Sequence, residues 1–234
     1  MTIYMQKPWR SKFKSFLIGE KKALINNKTG MWSQIGQDYF SHLIHNQKKN
    51  GFFIEVGGYH PYLYSNSFFL ESELGWDGII FEIDKNCCEL IKKKRNCLTI
   101  GSDFLKINQE TLKKYIPKRV DFLSIDIDPN LSNLKALKKL IDLPSRFSFI
   151  TFEHNQGREA SKNDEIQEEG LKELSSRNYK RIAKDVLLNS KSTEDWYIDN
   201  DAEEFLNMKV INAVKEVSNI EYLELIRIAK AAFS

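Results

Sequence analysis

The sequence contains little of what marks a disulfide-bonded, zinc-binding or membrane-spanning protein. It has three cysteines in 234 residues, and two of them, Cys87 and Cys88, are adjacent. This spacing matches neither a disulfide framework nor a zinc motif. No apolar run approaches the ~20 residues that a membrane-spanning helix needs, and the N-terminus lacks the apolar segment of a secretory signal. We therefore expect a cytoplasmic protein without a membrane partner.

The chain also lacks a strong charge of either sign and has no Pro- or Gly-rich linker or internal repeat. A net charge of +3 gives no reason to expect or to exclude nucleic acid, and a hydrophobic content of 41% is enough for a sizeable core. We predict a basic leader over residues 1–30 and a single domain over residues 31–234. The lysines and arginines of the leader would contact phosphate or an acidic surface, or would simply be solvated.

Short apolar segments alternate with segments of helical periodicity along most of the chain. The predicted strands span residues 51–56, 76–84, 97–104, 119–128, 146–155, 178–189 and 193–199. The predicted helices span residues 33–47 (with Ser33 as the cap), 64–75 (ended by Gly75), 85–96, 109–117, 131–142 and 159–177, with two more between 201 and 233. This alternation predicts an α/β fold with a mostly parallel seven-stranded sheet, helices on both faces, and a hairpin of the sixth and seventh strands.

Acidic residues recur where the predicted strands end. The carboxyl ends of parallel strands lie at one edge of a sheet, and ligands bind there at the point where the strand order reverses. We therefore expect these side chains to form one rim. In chain order the rim consists of Glu55, Glu82, Asp103, Asp126, Asp128, Glu153 and the neighbouring His154.

The exit of the first strand favours a cationic ligand over a phosphorylated one. Gly57 and Gly58 would let a ligand approach the backbone closely. The segment does not match the G-x-G-x-x-G pattern of dinucleotide-binding proteins, however. Glu55 would also repel a pyrophosphate, because like charges disfavour each other. A positively charged group near Glu55 fits better.

The acids that follow the next two strands fit a nucleoside. Glu82 could accept two hydrogen bonds from a ribose diol, and Asp103 could accept one from an adenine amino group, with Phe104 beside the ring. A nucleoside that carries a positive charge instead of phosphates is S-adenosylmethionine, which we predict as the cofactor. The alternative is that Glu55 and Glu82 only cap helices at the strand exits.

Four segments of the chain, SQIGQD, GFFIEVGG, YSNSFFLESELGWDGIIFEID and VDFLSIDID, together resemble the FkbM family of S-adenosylmethionine-dependent methyltransferases. The resemblance covers roughly residues 33–153 and implies the Rossmann-like class I methyltransferase fold. Where the family has Ala-x-x-Gly and Asp-x-Glu-Gly, this chain has Gly58-Tyr59-His60-Pro61 and Asp126-Ile127-Asp128-Pro129. The cofactor site that the resemblance implies consists of Glu55, Gly57, Ser65, Asn66, Glu82 and Asp103, with Gln34 reaching it from the first helix.

Methyl transfer from a sulfonium requires an aligned acceptor and, for an alcohol, a group that removes its proton. The candidates are the residues after the fourth and fifth strands: Asp126, Asp128, Glu153 and His154. We predict His154 or Asp128 as the base, because a histidine can accept a proton near neutral pH. The alternative is a rim histidine that only bonds a carboxylate. The same four residues could hold a divalent metal ion, which we do not favour because their spacing does not demand one.

The sequence thus predicts an S-adenosylmethionine-dependent methyltransferase that methylates a hydroxyl of a sugar or another small metabolite. One alternative is a nucleic-acid methyltransferase that uses the basic leader. Another is a non-catalytic module that binds a partner. An NAD oxidoreductase is disfavoured because the pyrophosphate loop is missing. The sequence specifies neither the acceptor nor the oligomeric state.

Overall fold

The computed structural model describes residues 32–154, 160–215 and 217–234. The strands are β1 (Phe52–Val56), β2 (Asp77–Glu82), β3 (Leu98–Gly101), β4 (Arg119–Ile125), β5 (Arg146–Glu153), β6 (Tyr179–Leu188), β7 (Lys191–Asp199) and β8 (Val217–Glu221). The α-helices are α1 (Gln37–Ile44), α2 (Phe68–Leu74), α3 (Lys85–Lys94), α4 (Gln109–Tyr115), α5 (Asn130–Ile141), α6 (Ala160–Ser175), α7 (Met208–Val214) and α8 (Tyr222–Phe233). Two 3-10 helices span Phe104–Lys106 and Asn200–Phe205.

The described strands form one eight-stranded sheet in the order β3-β2-β1-β4-β5-β7-β6-β8. Strands β1 to β5 run parallel to one another, whereas β7 runs antiparallel to both β5 and β6. The chain order reverses between β1 and β4, and this is where a ligand crevice forms in open α/β sheets. The predicted α/β fold and its hairpin of β6 and β7 are confirmed.

The C-terminal region differs from the prediction of seven strands followed by two helices. An eighth strand, β8, lies between α7 and α8 and pairs in parallel with β6. Its five residues, VSNIE, are all exposed or half-buried. They lack the apolar alternation that marks a strand in a sequence, because an edge strand needs little apolar surface.

The first helix also begins later than predicted. Its N-cap is Gly36, in the left-handed conformation at φ 82°, and not Ser33. Ser33 instead forms an isolated bridge with Tyr64 and is buried against Asp38, which accepts its backbone N–H at 3.2 Å. The predicted end of α2 at Gly75 is confirmed, since this glycine has φ 68°.

The sheet is covered on both faces. On one face, α1, α2, α3, α7 and α8 pack around a cluster in which Phe40 lies 4.6 Å from Trp196 between ring centroids. On the other face, α4, α5 and α6 contribute to a second cluster. No described helix is long and apolar enough to cross a membrane. The predicted leader, residues 1–30, lies outside the described residues.

A buried arginine joins the segment between β1 and α2 to the neighbouring helices. The side chain of Arg95, just after α3, is 0% exposed and pairs with the carboxylate of Glu71 on α2. The guanidinium also donates to the carbonyl oxygen of Pro61 at 3.0 Å and to the hydroxyls of Ser65 and Ser67 at 3.1 and 2.9 Å. One cation therefore fixes several points of the segment that leads away from the carboxyl edge of β1.

Replacing Arg95 with methionine should lower the free energy of unfolding by about 3–5 kcal/mol, because Glu71 would keep a buried charge without its partner. The control is Lys94→Met on an exposed neighbouring side chain, which should change the stability by less than about 0.5 kcal/mol. Urea denaturation followed by circular dichroism measures both. Equal stabilities of the two variants would contradict the role given to Arg95.

Candidate functional site

The two glycines after β1 are required by the fold itself. Gly57 has φ +100°, and a Cβ there would lie 1.8 Å from the carbonyl oxygen of Asp126. A Cβ on Gly58 would lie 2.3 Å from Cγ2 of Ile80. Both residues therefore let the chain pass closely over β4 and β2 at the carboxyl edge. Protein atoms make this close approach, and the predicted approach of a ligand stays a prediction.

Glu55, on β1, is 2% exposed and is bonded to the segment that follows the strand. Its carboxylate accepts the backbone N–H of Asn66 at 2.8 Å, the hydroxyl of Ser65 at 3.2 Å and the hydroxyl of Ser67. Burial raises the pKa of Glu55, and the charge of Arg95 acts in the opposite direction. Both oxygens of Glu55 are thus used to hold the loop between β1 and α2. The helix-capping alternative does not describe this arrangement, because Glu55 bonds groups that precede the first turn of α2.

Glu82 ends β2, and it is 7% exposed. One oxygen accepts the backbone N–H of Tyr59 at 2.6 Å and the other that of Asp84 at 2.7 Å. Burial raises the pKa of Glu82. The backbone N–H of Ile83 also acts on this carboxylate. A carboxylate has about four acceptor positions, so Glu82 has acceptor capacity left. The cap of α3 is Asp84, which accepts the N–H groups of Asn86 and Cys87.

Asp103 and Phe104 lie after β3 and differ in exposure. The side chain of Asp103 is 29% exposed, lies 3.3 Å from Lys106 and accepts the N–H of Leu105 at 3.1 Å. Phe104 is 3% exposed and packs edge-on against Phe81 at 4.8 Å between ring centroids. Asp103 can therefore reach a ligand, whereas Phe104 has almost no surface left for one in this conformation.

Asn66 joins the loop after β1 to β4. Its Nδ2 donates to the hydroxyl of Ser124 at 2.8 Å. Its Oδ1 has no hydrogen-bond partner within the described residues, although the residue is only 4% exposed. A buried acceptor without a donor costs free energy, so this oxygen marks a place that a donor on a ligand could fill. The predicted Gln34 is exposed at the start of the described chain.

The register of the strands brings polar residues together on the face that carries α1. Ser124 of β4 pairs with both Glu55 and Thr151, and Thr151 pairs with Trp196. Thr151 is fully buried, and its hydroxyl has no partner among the described residues. Side chains of paired residues lie on the same face of a sheet. This row therefore forms a polar floor below the carboxyl edge.

The next row toward the edge carries three acids. Glu153 pairs with Glu194 across β5 and β7, and Asp126 follows β4 immediately, beside the end of β5. Asp126 is exposed, Glu153 is half-buried, and Glu194 is 4% exposed. The structure thus brings the predicted Asp126 and Glu153 to one place and adds Glu194, which the sequence analysis did not single out. Asp128 is exposed, two residues further along the same loop.

Glu194 is held by two donors on the α1 face. Gln37 donates from Nε2 at 3.2 Å, and the indole N–H of Trp196 donates to the other oxygen. Burial raises the pKa of Glu194 to about 8, and the charge of Asp126 contributes in the same direction. Glu194 is therefore mostly protonated at neutral pH. No sequence signal marks it, because Glu194 lies inside a strand that returns antiparallel and not at a strand end.

His154 lies on the opposite face. Its ring Nε2 is 3.2 Å from Oδ1 of Asp195 and 3.3 Å from the side-chain nitrogen of Gln167 on α6. His154 follows Glu153 directly, and successive residues of a strand face opposite sides. The structure therefore does not join His154 with Asp126 and Glu153 in one catalytic or metal-binding group, as the sequence analysis supposed. The predicted alternative, a histidine that bonds a carboxylate, describes the observed contact.

Comparison with known proteins supports the fold. No protein-family model matches the chain, and no curated protein matches its sequence. Among solved structures, a methyltransferase from Pyrococcus furiosus superposes with a TM-score of 0.51 at 13% identity, over 80% of this chain and 96% of that one. An O-methyltransferase from Bacillus cereus, in complex with SAH, superposes with a TM-score of 0.50 at 13% identity, over 85% of this chain and 92% of that one. The chain has the Rossmann-like fold of methyltransferases.

Proposed function

We propose that the chain is an S-adenosylmethionine-dependent methyltransferase that transfers a methyl group to a hydroxyl of a sugar or another small metabolite. The observation that carries the proposal is the buried carboxylate of Glu82 at the end of β2, which has acceptor capacity left beside its backbone hydrogen bonds. It stands at the carboxyl edge of a sheet with the strand order of a methyltransferase. The resemblance to the FkbM family over residues 33–153 supports the same function.

The residues at this edge fit the parts of the cofactor. Glu82 would accept hydrogen bonds from the two ribose hydroxyls, and Asp103, partly exposed after β3, would accept one from the adenine amino group. Asn66 Oδ1, buried without a partner in the described chain, would accept a donor such as the amino group of the cofactor. Glu55 would act through the loop that it holds, because its own oxygens are already bonded. The bound cofactor supplies an electrophilic methyl group on a sulfonium.

The acceptor would lie beside β4, β5 and β7, over Asp126, Glu153 and Glu194. Holding an acceptor close to the methyl group in the correct direction supplies much of the rate in such a displacement. A hydroxyl must also lose its proton, and a carboxyl with a pKa near the working pH is suited to accept it. We infer that the ionised fraction of Glu194 takes this role, because burial raises its pKa to about 8 and so makes the carboxylate a stronger base than an ordinary one. Gln37 and Trp196 would hold its side chain in place.

Calorimetric titration with S-adenosylmethionine and S-adenosylhomocysteine tests the proposed function. Both should bind the wild-type chain, and Glu82→Gln should weaken binding by about 1.5–3 kcal/mol, because hydrogen bonds to a charged group are lost. The control Glu73→Gln changes an exposed acid of α2 and should leave the affinity unchanged. A melting curve of each variant confirms that it is folded.

Two results would contradict this proposal in different ways. A wild-type chain that binds neither compound would favour the non-catalytic module. Binding that survives Glu82→Gln unchanged would remove Glu82 from the cofactor site while leaving the methyltransferase function in place.

The proton on Glu194 can be tested through stability alone. With a pKa of about 8 in the folded chain and about 4.3 when unfolded, Glu194 binds more proton in the folded state between these pH values. The free energy of unfolding should therefore fall as pH rises from 5 to 8.5, by up to about 1.4 kcal/mol for each pH unit between the two pKa values. Glutamine does not titrate, so Glu194→Gln should lack this decrease.

Urea unfolding at the two pH values measures the difference between the wild-type chain and Glu194→Gln. The matched control is Glu203→Gln, which changes an exposed acid and should keep the wild-type pH dependence. The same slope in all three proteins would show that the pKa of Glu194 is not raised, and it would remove the reason for giving Glu194 the proposed role.

A further inference from the structure

We propose that the chain binds a divalent first-row transition metal ion between β5, β6 and β7, through His154, Asp185 and Asp195. Nε2 of the histidine and one oxygen of each carboxylate all lie within 4.8 Å of one another. His154 Nε2 is 3.2 Å from Asp195 Oδ1 and 4.0 Å from Asp185 Oδ1. His154 and Asp195 are 2% and 0% exposed. This group lies on the α6 face, apart from the acids proposed for the acceptor.

A single nitrogen marks the centre of the three ligand atoms. Nε2 of Gln167, on α6, is 2.9 Å from Asp195 Oδ1, 3.0 Å from Asp185 Oδ1 and 3.3 Å from His154 Nε2. An electropositive amide group thus stands where the three atoms converge. A metal ion would replace it on turning of the glutamine side chain, whose amide oxygen could then serve as a further ligand.

In each carboxylate the Oδ2 atom, here called the outer oxygen, contacts other residues. The Oδ1 atom, the inner oxygen, is directed at this centre. Asp195 uses Oδ2 for Arg181 at 2.9 Å and for the hydroxyl of Tyr197 at 3.1 Å. Asp185 has Lys184 3.8 Å from its Oδ2. In both residues it is Oδ1 that faces His154 and Gln167, and Oδ1 of Asp185 also accepts the hydroxyl of Ser192 at 2.7 Å. Fixing a ligand by contacts to its other atoms is how outer groups support a metal site.

The backbone of β6 is shaped to bring Asp185 inward. The register between β6 and β7 shifts between Ala183 and Val186, in the segment that contains Asp185. Asp185 itself has φ 52°, in the left-handed region that is uncommon for residues other than glycine. Its N–H donates to Asp195 Oδ1 at 2.8 Å. Bulges of this kind redirect a side chain and are frequent beside functional sites.

A cavity lies beside two residues that support the cluster. This cavity of about 300 Å³ lies between α6, β6 and β8, and its lining includes Arg181 and Lys184. Arg181 contacts the outer oxygen of Asp195, and Lys184 lies near that of Asp185. The side chain of Asp185 is 15% exposed. Of the three ligands, Asp185 is thus the one that solvent reaches most.

The set of one imidazole nitrogen and two carboxylate oxygens favours Mn²⁺, Fe²⁺ or Zn²⁺. Ca²⁺ would bind this set of ligands poorly, because it takes six to eight oxygen ligands. The bound ion would join α6 and the β6–β7 hairpin to the end of β5, next to Glu153. The inference does not depend on the proposed methyltransferase function, since it rests on other residues.

Equilibrium dialysis of the full chain, with metal analysis, tests the site using Mn²⁺ and Zn²⁺ alone, without cofactor. We expect one ion per chain, a raised melting temperature and no comparable effect of Ca²⁺. Asp185→Asn should weaken binding at least ~10-fold, by analogy with the loss of supporting groups in known sites. Gln167→Glu, which adds a carboxylate at the centre, should strengthen binding about 10-fold or more. The control Glu203→Gln should bind as the wild-type chain does.

The Gln167→Glu variant keeps the test decisive if Asp185→Asn does not fold. With the metal chelated, the extra carboxylate should lower the melting temperature, because three acids then repel one another, and added Zn²⁺ should restore it. The inference is wrong if neither ion binds the wild-type chain stoichiometrically, if Asp185→Asn binds as tightly as wild type, or if Zn²⁺ fails to restore Gln167→Glu.

Discussion

The pairing of Glu153 with Glu194 at the carboxyl edge of the sheet decides which polar side chains meet. Because successive residues of a strand face opposite sides, this one pair commits both glutamates to the α1 face. The next residues, His154 and Asp195, follow on the α6 face. A slip of one residue would exchange the two sets and would bury the wrong groups against each helix layer. Both proposed sites depend on this register.

At the carboxyl end of β1, residues that are typical of a ligand-binding site serve the fold first. Gly57 is needed because its backbone approaches that of Asp126, and a Cβ would lie 1.8 Å from the carbonyl oxygen. Glu55 is needed because it gathers the N–H of Asn66 and two hydroxyls. In a methyltransferase these residues would still matter to the cofactor. They would matter by fixing the loop, which places Asn66 beside Ser124 of β4 and the backbone N–H of Tyr59 at Glu82. They would not touch the cofactor themselves.

The sequence was sufficient for the strands that are buried and apolar. Alternation of strands and helices predicted the order of elements through β7, and strand ends predicted that Asp126 and Glu153 would share an edge. It was not sufficient for β8, whose residues are polar because the strand lies at the edge of the sheet.

Two further features of the site could not be read from the sequence. Glu194 lies within β7, and only the antiparallel return of that strand brings it to the carboxyl edge. The grouping of His154 with Asp126 was a different kind of error. Both residues follow the carboxyl ends of neighbouring strands, and a position at a strand end specifies only the edge of the sheet. The face of the sheet depends on the alternation of side chains along each strand, which has to be counted from the strand pairing.

Glu194 and Asp195 show how far the two faces of one strand can separate the pKa values of neighbouring carboxyl groups. Both are buried, and burial alone would raise both pKa values. Glu194 has two neutral donors, Gln37 and Trp196, and its pKa reaches about 8. Asp195 bonds His154, and its other donors are the N–H of Asp185, the amide of Gln167, the guanidinium of Arg181 and the hydroxyl of Tyr197.

The bond to His154 and the other donors outweigh burial and bring the pKa of Asp195 to about 2. Charged and numerous partners thus keep one carboxyl ionised, while sparse neutral partners keep its neighbour protonated. A carboxyl that holds its proton near neutral pH is suited to proton exchange with a substrate. A carboxyl that stays ionised is suited to a cation. The same stretch of β7 therefore provides the chemistry for a proton on one face and for a metal ion on the other.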